Sequence, residues 1–407
     1  MLKRLRLPVT VAAALVVAEA AVFLMRPRDS VKPVDVAAQT YFSPAFVNRA
    51  EDFRTGQLWL YGASLAIELG LLIYVVRRPP HGPWRRPVLA GAVVAAGLSV
   101  AVTIATLPVS AISRERAKDV GLVTQSWTGW VGDVVKSTAI EAVIVGVGGA
   151  ILVFAIRRFG RRWWIPATGV VVAFGVISIY AGPAIIDPLF NTFTPVEGRL
   201  RAEVLQLADE AGVKVGEVYE MDASRRTTAA NAYVTGLGGT KRVVIYDTLI
   251  KDFPPDAVRG VVAHELGHVH YHDVPRGLLY LLIVAPFGML AVARLSERLT
   301  PADASPVPAV ALSILLIATP MTMISNQLSR QVEARADRFS MQLTHDPQGL
   351  IEFQKKIAEQ NVSDPDPPGW ISFLLGTHPT AVQRIGQALA VERELNARRP
   401  AAPPGGS

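Results

Sequence analysis

Apolar residues in this chain gather into long runs rather than alternating with polar ones. Seven runs of near twenty residues stand out. One leads from the basic start Met1-Leu2-Lys3-Arg4-Leu5-Arg6 to Met25; the others lie at about 57–76, 88–108, 135–156, 163–183, 276–294 and 307–325. At ~1.5 Å rise per residue, a helix of this length crosses the ~30 Å hydrocarbon core of a bilayer. Seven such runs are more than the buried helices of a large soluble protein would supply. The first looks like a signal peptide, but it is rather long for that role and no clear A-x-A cleavage site follows it. A retained first span is therefore expected. Glu68 lies inside the second run, and Asp133, Lys136 and Glu141 lie at or within the fourth. Ionisable groups at membrane depth face a bundle interior or a wet cavity, which is the expectation for Glu68 and Glu141; Lys136 can snorkel.

Between the fifth and sixth runs, over 184–275, the pattern becomes that of a water-exposed fold. Leu200, Val204, Leu205 and Leu207 recur at helical spacing from Glu197 to Ala211, and Gly212 ends that helix. Residues 213–221 and 242–246, rich in Val, Ile and Tyr, predict short strands. Asn231-Ala232-Tyr233-Val234-Thr235-Gly236 is expected to be extended, with Gly238 and Gly239 close behind. Beyond the seventh run come the stretch Leu328–Asp337, a further amphipathic helix, a proline-bearing loop at 362–369, the segment Thr377-His378-Pro379-Thr380, and a last helix ending near Arg399. The tail 400–407, rich in Pro, Gly and Ala, is expected to be disordered. The expected division is a membrane domain at 1–183 with five spans, then a domain at 184–399 that includes the spans at about 276–294 and 307–325. The fold class is mainly α, an integral membrane protein with about seven transmembrane helices and a short β element.

Composition narrows the chemistry. Half of the 407 residues are hydrophobic. There is no cysteine, so disulfides and thiolate metal ligands are excluded, and any metal must be held by His and carboxylate. The formal charge of +7 comes from Arg pairs beside apolar runs. That is a membrane pattern rather than a nucleic-acid stripe, so the expected partner is a lipid bilayer and no nucleic acid.

The candidate chemistry sits in Val261-Val262-Ala263-His264-Glu265-Leu266-Gly267-His268, which contains H-E-x-x-H. Residues four apart on a helix share a face, so His264 and His268 present two imidazoles to one point. Two imidazoles suit Zn²⁺, one per chain, and a catalytic zinc needs a third protein ligand and an open position. Glu265 stands beside the first His and can act as general base. A solvated helix carrying two histidines is the alternative, and apolar Val261, Val262 and Leu266 argue against it. A metzincin would carry Gly and His where Tyr271 and Val274 stand, so that class is excluded. Glu333 is the strongest candidate for the third ligand. It opens E-x-x-x-D, which puts Asp337 on the same helix face, where a carboxylate can accept the free ring N–H of a ligand His. Two crossings separate His264 from Glu333, so both emerge on one side of the membrane. His272 either continues the 264–268 face by another turn, supporting the ligands, or is a plain helix histidine. His270 points elsewhere, as a structural or solvated group. His378, held extended by Pro379, either reaches over the metal to stabilise an oxyanion or is a loop residue.

These pieces together resemble the M48 peptidase family, and within it the type I CAAX prenyl protease branch. The resemblance rests on Asp187-Pro188-Leu189-Phe190-Asn191-Thr192-Phe193-Thr194-Pro195; Asn231-Ala232-Tyr233 with Gly236; Lys241-Arg242-Val243-Val244-Ile245-Tyr246-Asp247-Thr248-Leu249; His264-Glu265-Leu266-Gly267-His268 with His272; Leu328-Ser329-Arg330 leading to Glu333 and Asp337; and His378-Pro379 with Arg384. It implies a zincin-type domain and membrane helices forming a barrel-like chamber. It further implies zinc held by His264, His268 and Glu333, Glu265 as general base, His378 near the metal, structural roles for Asp337 and Arg384, and a substrate-facing segment at Asn231, Ala232 and Tyr233. The Ala-, Arg- and Val-heavy usage is that of a bacterial homologue. Two features depart from the family pattern: the charged insertion that eukaryotic members carry before the H-E-x-x-H helix is short here, and Ala334 stands where the family has Phe.

The expected activity is hydrolysis of a peptide or membrane-protein substrate by a membrane-embedded zinc endopeptidase. The alternatives are an HtpX-like quality-control peptidase acting on membrane proteins, and a non-catalytic membrane scaffold or channel that binds no metal. Orientation stays open. The Arg77, Arg78, Arg85, Arg86 and Arg157, Arg158, Arg161, Arg162 clusters put the opposite, metal-bearing side outside by the positive-inside rule, whereas the family resemblance implies a cytosolic site.

Overall fold

The computed structural model describes residues 2–29, 31–80, 85–236, 241–301 and 303–398; the expected tail 400–407 and the Gly238–Gly239 pair lie outside these residues. In chain order, helices α1 (Leu2–Met25), α2 (Pro44–Arg77), α3 (Pro87–Asp119), α4 (Trp127–Phe159) and α5 (Trp164–Tyr180) precede a short α6 (Gly182–Ile185). Strand β1 (Phe193–Pro195), helix α7 (Gly198–Glu210), and strands β2 (Glu217–Met221), β3 (Ala232–Thr235) and β4 (Arg242–Tyr246) follow. Helices α8 (Asp247–Asp252), α9 (Pro255–His270), α10 (Asp273–Leu299), α11 (Val307–Thr344), α12 (Pro347–Gln360), α13 (Gly369–Leu375) and α14 (Ala381–Arg398) complete the chain.

The chain divides into two compact units that do not follow its linear order. One comprises Met1–Met25, Thr55–Gly182 and Pro275–Ser325; the other comprises Arg26–Arg54, Pro183–Val274 and Asn326–Ser407. The first is the membrane unit. Among the described residues, six helices are long and apolar enough to cross a bilayer: α1 to α4, α10 and α11. The fifth expected span, 163–183, is broken: α5 and the segment Gly182–Leu189 meet at 48°. In α2 only 6% of the most apolar stretch is buried by protein, and Trp59, Tyr61 and Tyr74 are more than half exposed. Apolar surface on that scale needs a lipid solvent. Small residues let α3 and α4 approach closely. A Cβ on Gly149 would stand 2.6 Å from the carbonyl oxygen of Gly91, and one on Gly91 would stand 2.9 Å from that of Gly149. Such contacts drive helix association where lipid removes the hydrophobic effect. Nearby, buried Ser99 donates to Glu141 Oε1 at 2.7 Å, which gives one of the expected interior carboxylates a partner.

The second unit is built on a four-stranded sheet ordered β1-β2-β4-β3. β2 and β4 run parallel, Val218 opposite Val243, while β1 and β3 pair antiparallel at the two edges. The central strands contribute Val218, Val243 and Ile245, all fully buried, to a core shared with Leu249, Val262, Leu266, Met341 and Ile385. Ala38 and Phe42 join this core, so residues 26–54 pack with this unit although they directly follow the first span. Gly386 makes that possible: the Val34 N–H donates to the Gly386 carbonyl at 3.0 Å, and a Cβ on Gly386 would collide with the Val34 carbonyl. β1 is only three residues long and is closed by a proline.

Candidate metal centre

Helix α9 begins with Pro255 at its first position, where a missing N–H costs nothing, and Asp256 in its first turn suits the helix dipole. Its apolar face of Val258, Val261, Val262 and Leu266 buries in the core, and the 3.6-residue period then sets His264 and His268 together on one side. Gly267 lets α11 come close: a Cβ there would stand 3.0 Å from Phe339 Cδ1. That approach brings Glu333 to the histidines.

Three ligand atoms converge. His264 Nε2 and His268 Nε2 lie 3.2 Å apart. Glu333 Oε2 is 3.2 Å from His264 Nε2, and Glu333 Oε1 is 3.6 Å from His268 Nε2. Among the described residues, these three form a group able to hold a metal ion. His378 joins them, its Nε2 3.3 Å from Glu333 Oε2 and its Nδ1 2.9 Å from the Thr377 hydroxyl. Glu265 is flanked by the ligands along the helix, and both it and His378 line the same cavity as His264.

Each imidazole is held from behind by a carboxylate. His264 Nδ1 donates to Asp337 Oδ1 at 2.9 Å. Asp337, fully buried, is gripped by Arg384, whose Nε is 2.7 Å from Oδ2 and whose Nη2 is 2.5 Å from Oδ1. The E-x-x-x-D spacing thus does what helix geometry suggested. His268 Nδ1 donates to Asp273 Oδ2 at 3.0 Å, and Asp273 Oδ1 accepts from buried Arg335, whose guanidinium lies 4.1 Å from the centre of the Tyr271 ring. Both histidines therefore present Nε2 to the same point, with Nδ1 taken.

Sequence reasoning missed Asp273 and Arg335 and left His272 open between supporting the ligands and being a plain helix histidine. α9 ends at His270, and His272 is exposed with φ 57, so the face does not continue for another turn. Asp273, reached through that left-handed residue, stands where the carboxylate is needed. The signal lay in plain view: an Asp directly after the motif helix and an Arg two residues after Glu333. His270 is structural. Its Nδ1 donates to the Ala211 carbonyl at 3.0 Å and its ring packs on Phe339, with centroids 4.7 Å apart.

The charges are tuned by burial and by neighbours. Burial works to lower the His264 pKa, but Asp337 and Glu333 outweigh it and raise the pKa to about 10 in the metal-free protein. Burial pushes Glu265 up, with Glu333 adding to the rise against the opposing histidines. Partial desolvation lowers His378, opposed by Glu333 and assisted by Arg384 and His264. Asn231, exposed, lines the cavity, and its Oδ1 accepts the Ala232 N–H at 2.9 Å. Ala232 is buried, and the Tyr233 hydroxyl donates to Asp187 Oδ2 at 3.1 Å. The side chains of these last two serve the fold.

The sequence matches the family model for peptidase family M48 over residues 195–392, and the one for the CAAX prenyl protease N-terminal region of five membrane helices over 56–192. The uncharacterized metalloprotease YhfN of Bacillus subtilis (strain 168) is 32% identical over 312 residues, which cover 74% of this chain and 72% of YhfN. The chain belongs to peptidase family M48. Its M48 relatives include the probable CAAX prenyl protease 1 of Schizosaccharomyces pombe, 29% identical over 63% of this chain and 56% of that protein. CAAX prenyl protease 1 of Saccharomyces cerevisiae is 28% identical over 63% of this chain and 62% of its own length. The chain thus spans between half and two thirds of these two yeast relatives. The crystal structure of Saccharomyces mikatae Ste24p superposes with a TM-score of 0.74 at 19% identity, covering 94% of this chain and 98% of the other. That likeness shows a shared fold.

Proposed function

We propose that this multi-pass membrane metallopeptidase hydrolyses peptide bonds as a zinc endopeptidase, with one Zn²⁺ held by His264, His268 and Glu333. The observation that carries this reading is the convergence of the three ligand atoms. Ligands at ~2.0–2.1 Å from a tetrahedral ion are separated by roughly 3.3–3.4 Å; the two imidazole nitrogens are 3.2 Å apart, one Glu333 oxygen lies 3.2 Å from His264 and the other 3.6 Å from His268, and one ligand atom from each residue can be chosen with all three within 4.8 Å. Two imidazoles and one carboxylate form the donor set of zinc hydrolases that keep a fourth position open.

When bound, zinc supplies a Lewis acid that lowers the pKa of water and polarises a carbonyl. The remaining roles belong to the protein. The Glu265 carboxylate, raised by burial, accepts a proton from water at Oε and returns it to the leaving amine. His378, whose Nε2 is 3.3 Å from Glu333 Oε2, would donate through that nitrogen to the negative charge developing on the carbonyl oxygen. Asp337 and Asp273 fix the tautomers of the two ligand imidazoles. The substrate backbone is received by β3. That strand is a sheet edge, and the bond from Tyr246 N–H to the Asn231 carbonyl sets the alternation so that the backbone of Ala232 and Val234 faces away from β4. An extended peptide can pair there by strand addition. The groups such a peptide would meet are the Ala232 carbonyl and the Val234 main chain, because Asn231 Oδ1 accepts the Ala232 N–H and the Asn231 carbonyl and Tyr233 main chain pair with β4.

The test is Glu265→Gln in the purified full chain. The variant should retain about one zinc per chain while peptide cleavage falls at least about a hundredfold, the scale of general base catalysis. Cleavage retained at the wild-type rate in a clean preparation would refute the role.

A further inference from the structure

Helix α11 carries Asn326, Arg330, Glu333 and Asp337, spaced four, three and four residues apart, so one helix face presents all of them. Glu333 and Asp337 belong to the metal centre. Asn326 and Arg330 have no part in the reaction described above, and both reach α13.

α13 is seven residues long and none of its side chains is buried; Trp370 is 59% and Phe373 51% exposed. A helix that short is marginal by itself. Its C-terminal carbonyls are gripped by α11. Asn326 Nδ2 donates to the Leu374 carbonyl at 2.9 Å. Arg330 Nη1 shares its protons among the carbonyls of Ser372 at 2.8 Å, Phe373 at 3.2 Å and Gly376 at 2.6 Å. A cation suits a helix C-terminus, where carbonyls lack an intrahelical donor.

His378 follows Gly376 by two residues. Its side chain is 58% exposed, so packing alone does not hold its Nε2 at 3.3 Å from Glu333 Oε2. The chain on either side does. On the N-terminal side stands the end of α13 in the grip of Arg330. On the C-terminal side, the Thr380 N–H donates to Gln383 Oε1 at 3.0 Å and the Gln383 N–H to the Thr380 hydroxyl at 3.2 Å, a reciprocal cap on α14. Arg384 then ties α14 to Asp337. Both anchors of the His378 segment run back to the helix that carries Glu333.

We infer that Arg330, assisted by Asn326, is a positioning residue that sets His378 beside the metal centre and acts on the reaction only through that histidine. The inference rests on the peptidase reading and on the oxyanion role given there to His378. The bonds of Arg330 go to main-chain carbonyls rather than to a metal ligand. Its loss therefore leaves the three ligands in place and frees the histidine, and a shift on the order of 1 Å in such a group costs up to about a hundredfold in rate.

The test is a double-variant cycle in the purified full chain, loaded with zinc, on a fluorogenic peptide, with zinc content and unfolding midpoint recorded for each variant. Arg330→Gln should lower kcat roughly ten- to a hundredfold, with KM within about twofold and about one zinc per chain. In the His378→Ala background the same substitution should lower kcat by less than about twofold, because the group it positions is gone. Asn326→Ala should repeat the pattern at smaller amplitude, and it carries the test if Arg330→Gln does not fold. Equal losses in the two backgrounds, an unchanged kcat in every variant that folds, or loss of zinc from a folded Arg330→Gln would overturn the inference. A wild-type kcat in His378→Ala would remove the oxyanion role and the inference with it. No cleavage by the zinc-loaded wild type would overturn the peptidase reading itself, which separates that failure from the others.

Discussion

Asp273→Asn is the substitution that bears most directly on how the centre is held. Asp273 does two things at once: Oδ2 accepts from His268 Nδ1 at 3.0 Å, and Oδ1 accepts from Arg335. Both side chains of the ion pair are nearly inaccessible, at 9% and 5% exposure. Asn keeps the shape and can still accept from His268, but it no longer neutralises Arg335 or raises the basicity of the imidazole. Loss of such a supporting carboxylate typically weakens metal binding 10–100-fold, about 1.4–2.7 kcal/mol. The orphaned buried cation adds a stability loss on the order of 3–5 kcal/mol. The two effects separate in the double variant Asp273→Asn/Arg335→Gln, which removes the cation. Thermal unfolding should recover most of its midpoint, whereas zinc affinity, measured by competition with a chromogenic chelator, should stay 10–100-fold weak. A zinc affinity within twofold of wild type in the single variant would refute the reasoning, as would its full recovery in the double.

Two further outcomes follow from the packing of the same unit. In Gly267→Ala the new methyl meets Phe339, which is wedged against His270 and Tyr271; overpacking of about 1–3 kcal/mol outweighs the ~1 kcal/mol helix gain, so the apo protein should melt lower, and a higher midpoint would show that Phe339 yields. Asp247, itself desolvated, is held below the ordinary carboxylate range by the Ser224 hydroxyl and N–H and by Lys251 at 2.9 Å; its stabilisation is therefore full above the unfolded pKa of ~3.9 and is lost as pH falls through the lower folded value, so the pH dependence of unfolding below pH 4 should flatten in Asp247→Asn, and an unchanged slope would contradict the assignment.

Much of the centre was legible because it rests on helix periodicity. His264 and His268, and Glu333 and Asp337, are pairs four residues apart, and a single helix geometry places each pair on one face. The membrane spans were legible for the same kind of reason, since a run of apolar residues needs no partner to declare itself. What stayed hidden depends on tertiary closure. Asp273 reaches His268 because α9 stops at His270 and the chain turns through His272 at φ 57, which no periodicity encodes. Arg335 becomes its partner only when Gly267 has let α11 close on α9. The placement of residues 26–54 with the metal-bearing unit depends on Phe42 entering a core assembled mostly from residues beyond 195. The fifth span reads as one run by its apolar composition, but it bends by 48° near Ala181, where Gly182 and Pro183 stand.

The proposed centre is one ion meeting two imidazoles and one carboxylate. Zinc K-edge X-ray absorption on the purified full chain, together with metal content, measures this directly. The prediction is two imidazole nitrogens and one carboxylate oxygen at ~2.0–2.1 Å, with stoichiometric zinc lost in Glu333→Ala. An unchanged first coordination sphere and full zinc occupancy in Glu333→Ala would contradict it.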